Sequence, residues 1–313
     1  MLPFRNLEEV AASLGRPLTP AETLWFRYSA TMPDFQIYTH SFFLLLCLFS
    51  LGPLPLVLME AMGVSVLCRF KIQPNVRVPF SSVVQCYRDV VAVLLLVVAP
   101  LQLTSYPLLK WSGIRTGLPL PSLWETGAQL VVYFLVEDYG NYWIHRWMHY
   151  WPWAYDKIHR VHHEFTAPLG FSASYAHWAE VLVLGLPTIA GPVIVPCHVL
   201  TLCAWIALRQ MEAIETHSGY DFPGSPTKLI PFYGGAEYHD YHHFVGKSQS
   251  NFASVFTYCD YIYGTDKGYR YQKASLAKLR PLNSSAYKMI RKARSAAAGN
   301  AEVLHKSSED LKS

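Results

Sequence analysis

Long stretches without a charged residue constrain this chain more than any other feature. Residues 90–109 are apolar and lie between Asp89 and Lys110. A helix of this length covers about 30 Å, which is the thickness of the hydrocarbon core of a bilayer. Residues 37–59 are also free of charge. The two stretches predict helices that cross or enter a membrane.

Proline and glycine interrupt two of the apolar stretches. Within residues 37–59 the breaking residues are Gly52, Pro53 and Pro55. Residues 181–208 carry no charge over 28 positions but contain Pro187, Gly191, Pro192 and Pro196. Proline removes a helical hydrogen bond, and neighbouring protein can satisfy the freed carbonyl within a membrane. We therefore expect a kinked span or hairpin in the first stretch, and two short helical pieces or one broken span in the second.

A shorter apolar run, residues 126–136, continues into Glu137 and Asp138. It predicts a helix that leaves the membrane and carries polar residues on its end. The basic segment 68–88 between the first two stretches favours a position on the cytosolic side. Together these features predict an all-α, multi-pass transmembrane helical bundle of about four spans or two hairpins.

Composition excludes several classes of protein. Hydrophobic residues make up 51% of the chain and charged residues 15%, against about 25% in soluble domains. The net charge is +4 and no basic run alternates with aromatic residues, so nucleic-acid binding is not expected. The six cysteines show no CxxC spacing, which favours a reducing, cytosolic environment. We divide the chain into a lead-in (1–36), a membrane-embedded domain (37–273) and a basic tail (274–313).

Three closely spaced sets of histidines are the candidate metal ligands of this chain. They are an HxxxH set and two HxxHH sets: His145 and His149; His159, His162 and His163; His239, His242 and His243. Residues at i and i+4 share a helix face, and i+3 lies nearby. Imidazole binds Zn, Cu, Fe and Ni, and this number of nitrogens exceeds what one four-coordinate zinc ion uses. The sets predict two metal ions with four or five ligands each.

Isolated histidines are weaker candidates, since a lone histidine is more often an ordinary buried polar residue. His177 and His217 are nevertheless included as ligands, whereas His40, His198 and His305 are not. Ligating imidazoles also need a partner at the other ring nitrogen. Asp138, two turns before His145, and Asp221 are the candidates for that role; the alternative is that they cap helices or pair with nearby arginines.

The order HxxxH, HxxHH and, after a membrane hairpin, HxxHH resembles the membrane fatty acid hydroxylase superfamily. Within it the chain is similar to the plant sterol 4-methyl oxidases (methylsterol monooxygenases) of the branch that acts on 4,4-dimethylsterols. The matching runs are residues 137–149, 157–171, 174–180, 208–223, 231–243 and 250–270. All ten of the ligand candidates agree with the family pattern.

The resemblance implies further properties. The fold would place a cytosolic helical cap over the membrane bundle, with a dimetal site in the cap. The enzymes are endoplasmic-reticulum monooxygenases with two non-heme iron ions. They take O₂, and electrons from NAD(P)H through cytochrome b5 and its reductase. They oxidise the C4 methyl group of a sterol through alcohol and aldehyde to carboxylate, and a sterol C4 dehydrogenase/decarboxylase then acts as a further partner.

Three alternatives remain open at this point. Another lipid hydroxylase, desaturase or aldehyde-forming enzyme of the superfamily would differ in the shape of its substrate pocket. A zinc membrane hydrolase would need a carboxylate base and an open zinc position, and the chain lacks HExxH. A metal transporter would carry its ligands within the spans rather than beside them.

Overall fold

Every regular element in the described part of the chain is helical. The computed structural model describes residues 4–63, 65–247 and 250–279, and an all-α class is confirmed for these ranges. The α-helices in order are α1 (Leu7–Leu14), α2 (Pro20–Ser29), α3 (Asp34–Leu51), α4 (Leu54–Ala61), α5 (Ser65–Cys68), α6 (Phe80–Val93), α7 (Ala99–Ser112), α8 (Leu123–Tyr150), α9 (Pro152–Lys157), α10 (Trp178–Ile194), α11 (Val199–Thr216), α12 (Gly235–Val245), α13 (Tyr258–Tyr263) and α14 (Lys267–Leu279). Short 3₁₀ segments are His159–Glu164, Gly170–Ser174 and Pro226–Leu229.

Among the residues that the structure describes, two helical segments are long and apolar enough to cross a membrane. Asp34–Ala61 joins α3 and α4 over 28 residues, and Phe80–Ser112 joins α6 and α7 through the π-helical turn Leu94–Val98. Only 11% of the most apolar window of each segment is buried. A core helix of a soluble protein would bury most of its apolar side chains, so these surfaces indicate a membrane protein.

The expected break in the first apolar stretch is present. Helix α3 ends at Leu51 and α4 begins at Leu54. Gly52 lies between them, where a Cβ atom would stand 2.8 Å from Ile214 Cδ1 of α11. The lack of a side chain therefore lets the end of α3 pack closely on α11.

The second interrupted stretch forms two separate helices. Helix α10 ends at Ile194, and α11 begins after His198, whose ring accepts a hydrogen bond from the Leu200 amide. Helix α10 packs along α8, while α11 packs against α3 and reaches α12. Helix α11 continues eight residues beyond the apolar stretch, to Thr216.

Helix α8 connects the apolar bundle to the histidines. Its 28 residues begin at an N-cap formed by Ser122 and end at Tyr150. His145 and His149 occupy its last turns, so the helix carries polar residues on its end, as the sequence predicts. The turns around Tyr133 pack in a buried cluster with Leu202 and Trp205 of α11.

The predicted basic tail falls mostly outside the described residues. Helix α14 runs through the boundary proposed at residue 273 and ends at Leu279. Residues 280–313 are not among those described.

Candidate metal centre

Nine of the ten candidate ligands gather in two groups. In each group the nitrogens that could bind a metal all lie within 4.8 Å of one another. The first group has five members, His145, His149, His159, His163 and His242; the second has four, His162, His217, His239 and His243. All nine side chains are buried.

Each of the two HxxHH sets contributes histidines to both groups. In α12, His239 and His243 belong to the second group and His242 to the first. Side chains four residues apart on an α-helix differ by about 40° in direction, whereas neighbouring ones differ by about 100°. His242 therefore points away from His239 and His243. The 3₁₀ segment does the reverse, sending His162 to the second group and His159 and His163 to the first.

Ring nitrogens in the first group face one another at short range. Nε2 of His159 lies 3.0 Å from Nε2 of His145 and 3.0 Å from Nε2 of His163. His145 Nδ1 lies 2.8 Å from the Phe252 carbonyl oxygen, which can only accept, so Nδ1 carries the proton. The neutral ring then has a bare lone pair at Nε2, pointing at its neighbours.

The second group repeats this arrangement. His217 donates through Nδ1 to the Ala213 carbonyl at 2.8 Å, and His162 donates through Nδ1 to the Tyr175 carbonyl at 2.9 Å. Their Nε2 atoms are 3.3 Å apart, and Nε2 of His239 lies 2.9 Å from Nε2 of His217. The lone pairs of these Nε2 atoms therefore also point at one another.

Nε2 lone pairs that point at one common position are the arrangement expected around a metal ion. Nitrogens about 2.1 Å from one ion and at right angles to each other stand about 3.0 Å apart. The observed spacings of 2.9 to 3.3 Å match this value. Opposed lone pairs repel each other unless a cation lies between them. The donor set, five and four neutral imidazoles, suits a borderline transition metal such as iron.

Burial keeps these imidazoles neutral. It lowers the pKa of His159, His163 and His239 well below the usual 6.5, and neighbouring imidazoles add to the effect because protonated rings would repel one another. Neutral rings are the form that binds a metal.

Three of the expected site residues stand apart from the two groups. His177 caps α10, where its Nδ1 accepts a hydrogen bond from the Ala179 amide, and it belongs to neither group. Asp138 accepts from the backbone amides of Val255 and Phe256 through Oδ1, and its Oδ2 has no hydrogen-bond partner. Asp221 forms a half-exposed ion pair with Lys228 at 2.7 Å.

Asp138 binds a chain segment that also contacts two of the histidines. The segment that it binds also supplies the Phe252 and Ser250 carbonyls, which accept from Nδ1 of His145 and His242. Asp260 binds the same segment through the amides of Phe252 and Ala253. These two carboxylates fix a loop that orients two imidazoles.

Sequence reasoning missed Glu180. Its Oε1 lies 2.8 Å from Nδ1 of His159, and the side chain is 2% exposed. It is the carboxylate partner of a candidate ligand, which is the role that the sequence suggests for Asp138 and Asp221. The sequence did contain an indication of this role. Glu180 is the last charged residue before the apolar stretch 181–208, and a carboxylate without a partner is costly next to a membrane segment.

A cavity of about 360 Å³ opens onto both histidine groups. Its wall includes His145 and His159 of the first group and His162, His217 and His239 of the second. The aliphatic part of the remaining wall comes from α3, α6, α7, α10, α11 and the π-helical turn. The cavity suits an apolar molecule that presents one carbon to the histidines.

Comparisons with known proteins agree with this geometry. The sequence profile of the fatty acid hydroxylase family matches residues 130–265. Methylsterol monooxygenase 1-1 of Arabidopsis thaliana is 62% identical over 291 residues, which is 92% of this chain and 97% of that protein. Very-long-chain aldehyde decarbonylase GL1-10 of Oryza sativa subsp. japonica is 61% identical, over 91% of this chain and 95% of that protein.

A more distant relative is also named as a methylsterol monooxygenase. Methylsterol monooxygenase 2-2 of Arabidopsis thaliana is 41% identical over 80% of this chain and 93% of that protein. No solved structure matches the chain. The relatives cover nearly the whole sequence, and the profile covers the residues that bear all nine clustered histidines. The chain therefore belongs to the fatty acid hydroxylase family.

Proposed function

We propose that this protein is a methylsterol monooxygenase that oxidises the C4 methyl group of a sterol at a pair of non-heme iron ions. The observation that carries the proposal is the contact between two buried imidazole groups and one aliphatic cavity. The names of three Arabidopsis relatives at 59 to 62% identity supply the substrate class.

The reaction explains why the site consists of metal ligands. An unactivated methyl group has no acidic proton, so side chains alone cannot cleave its C–H bond. Iron, when bound, supplies O₂ activation, which is the difficult part of the chemistry. Each turn consumes one O₂, two electrons and two protons, inserts one oxygen atom into a C–H bond and releases the other as water. The hydrate formed in the second turn loses water to give the aldehyde. Three turns take the methyl group through alcohol and aldehyde to carboxylate.

The protein's own residues position the reactants and exclude water. The five-member group would hold one ion and the four-member group the other. Glu180 and the carbonyls of Phe252, Ser250, Tyr175 and Ala213 fix the rings so that Nε2 faces inward. The aliphatic cavity wall accepts the ring system of a sterol and keeps bulk water from the reacting carbon.

The membrane arrangement follows the sequence prediction. We propose that the segments Asp34–Ala61 and Phe80–Ser112 cross or enter the endoplasmic-reticulum membrane, and that α10 and the first part of α11 complete the embedded bundle. The histidine groups would face the cytosol as part of a helical cap. Electrons would come from NAD(P)H through cytochrome b5 and its reductase, and a sterol C4 dehydrogenase/decarboxylase would take the carboxylate product.

A second candidate is the conversion of very-long-chain aldehydes. It is favoured by the name of the rice relative, whose identity to this chain is 61%. Such a substrate would enter the same cavity as an extended chain rather than a fused ring. The experiment below separates the two.

The test is expression in a yeast strain that lacks its own sterol 4-methyl oxidase. We expect growth to return and 4,4-dimethylsterols to fall. The variants His162→Ala and His242→Ala, one from each group, should abolish rescue at equal protein level. If an iron-loaded, well-expressed protein leaves sterols unchanged but alters fatty aldehydes, the sterol assignment is wrong.

A further inference from the structure

The cavity wall is polar along one face of α8. Glu137, Asn141 and His145 follow one another at intervals of four residues, so they lie on one side of the helix, and all three line the cavity. The apolar residues of the wall around them are mainly leucine, valine and isoleucine. A polar strip next to a metal ligand in an aliphatic cavity points to a substrate with one polar group close to the reacting carbon.

The orientation of the Asn141 amide is determined by its neighbours. Its Nδ2 donates to Glu137 Oε1 at 2.6 Å, and the same oxygen accepts from Arg209 Nε at 2.6 Å. Arginine stays protonated, so Glu137 Oε1 acts as an acceptor and the NH₂ side of the amide must face it. The oxygen of the amide is therefore the part left for a ligand.

That oxygen has no hydrogen-bond partner. Asn141 is 4% exposed, and its Oδ1 is a buried acceptor without a donor. Buried acceptors are normally paired, and an unpaired one favours a ligand that donates a hydrogen bond. A hydroxyl group provides such a donor, whereas a ketone or an ether does not.

We propose that Asn141 is a specificity-determining residue that accepts a hydrogen bond from the hydroxyl group of the sterol. This inference rests on the proposed function. Asn141 lies one turn before His145, about 6 Å along the helix axis. The hydroxyl at C3 and the methyl group at C4 are on neighbouring ring carbons. Anchoring the hydroxyl at Asn141 therefore holds the methyl group next to the first histidine group.

Other unpaired groups in the cavity fit this role less well. Glu137 and Glu180 are buried, and each already uses one oxygen to hold Arg209 or His159. Gln210 has an unpaired Nε2, which is a donor, and it lies seven residues before His217, about 10 Å along α11. Among these unpaired groups of the described cavity wall, the Asn141 oxygen is the neutral acceptor.

The test compares two substrates in the full-length purified enzyme. One is a 4,4-dimethylsterol with a free 3-hydroxyl group, and the other is its 3-O-methyl ether. We expect the wild-type enzyme to prefer the free hydroxyl in kcat/KM. In Asn141→Leu, kcat/KM for the free sterol should fall about tenfold while that for the ether stays unchanged. Asn141→Asp should keep the preference, because a protonated carboxyl can donate to Glu137 and still present an oxygen.

A matched control removes a buried amide elsewhere on the same helix. Gln129 is 7% exposed, donates to the Pro196 carbonyl and does not line the cavity. Gln129→Leu should affect both substrates alike. An equal loss on both substrates in Asn141→Leu would make Asn141 structural and overturn the inference. If the wild-type enzyme oxidises the ether as well as the free sterol, the inference is wrong but the proposed function stands; if it oxidises neither, both are wrong.

Discussion

The Nε2 atoms of His145 and His159 lie 3.0 Å apart, while the Nδ1 atoms of the same rings face the Phe252 carbonyl and Glu180. Each ring is thus held by a hydrogen bond at Nδ1, and the lone pair of its Nε2 atom points at the other ring. The rings come from elements separated in sequence, α8 and the 3₁₀ segment that follows α9. The fold therefore brings these nitrogens together against their mutual repulsion, and a bound cation would relieve that repulsion.

Each histidine group should hold its own metal ion. We expect His149→Ala to remove the ion of the first group and His217→Ala that of the second, so that each variant binds one ion where the wild type binds two. Metal analysis of the purified protein measures this. His198→Ala is the control, because His198 is also buried but donates to the Gly117 carbonyl and caps α11. Full metal content in both ligand variants would contradict the assignment.

Glu180 should strengthen metal binding through His159. Glu180→Ala leaves Nδ1 of His159 without its partner at 2.8 Å, and we expect metal affinity to fall about 10- to 100-fold. Glu180→Gln keeps an acceptor oxygen and should recover part of the loss. Competition with a chelator measures the affinity. The control is Glu125→Ala, which removes a partly exposed carboxylate from α8 and should leave the metal affinity unchanged. If Glu180→Ala also leaves the metal affinity unchanged, the carboxylate of Glu180 is not needed for metal binding.

The features of the fold that could be predicted are local ones. The absence of charge over residues 90–109 and the prolines at 53 and 196 act on adjacent residues of the chain, so their consequences can be predicted from the sequence. Packing between distant helices leaves a weaker signal. The close approach of α8 and α10 depends on Gly140 and Pro187, which are 47 residues apart and look ordinary in sequence.

The same distinction applies to the site. Spacing identified the three histidine sets, because each set lies within a turn or two of chain. It did not reveal that His242 belongs with His159 and His163, since that pairing depends on how α12 meets the 3₁₀ segment. The backbone carbonyls of Ser250 and Phe252 could not be predicted either, because a carbonyl acceptor carries no side-chain identity.

Acid should destabilise the metal-free protein. Burial lowers the pKa of His159, His163, His239 and His243 below 6.5 in the folded state, while the unfolded chain keeps the ordinary value. Below pH 6.5 the unfolded chain therefore binds more protons, so stability is full above this pH and is lost as pH falls. Thermal unfolding of the metal-free protein in detergent between pH 8 and 5 measures the effect. His159→Leu should show a shallower slope, and an unchanged Tm across this range would contradict the argument.

Helix α8 should tolerate alanine at one glycine and not at another. A Cβ atom at Gly140 would lie 2.8 and 2.9 Å from the ring carbons of Pro187 on α10, and a proline ring cannot move aside. We expect Gly140→Ala to lower the free energy of unfolding by about 1–3 kcal/mol, the usual cost of overpacking. Gly127 lies in the same helix, and no atom lies within 4 Å of the place that its Cβ would take, so Gly127→Ala should raise stability by about 0.5–1 kcal/mol through its helix propensity. Unfolding of both variants in detergent gives the comparison. Equal stability would mean that α8 and α10 are not in close contact, and the wall of the cavity that they share would then need a different arrangement.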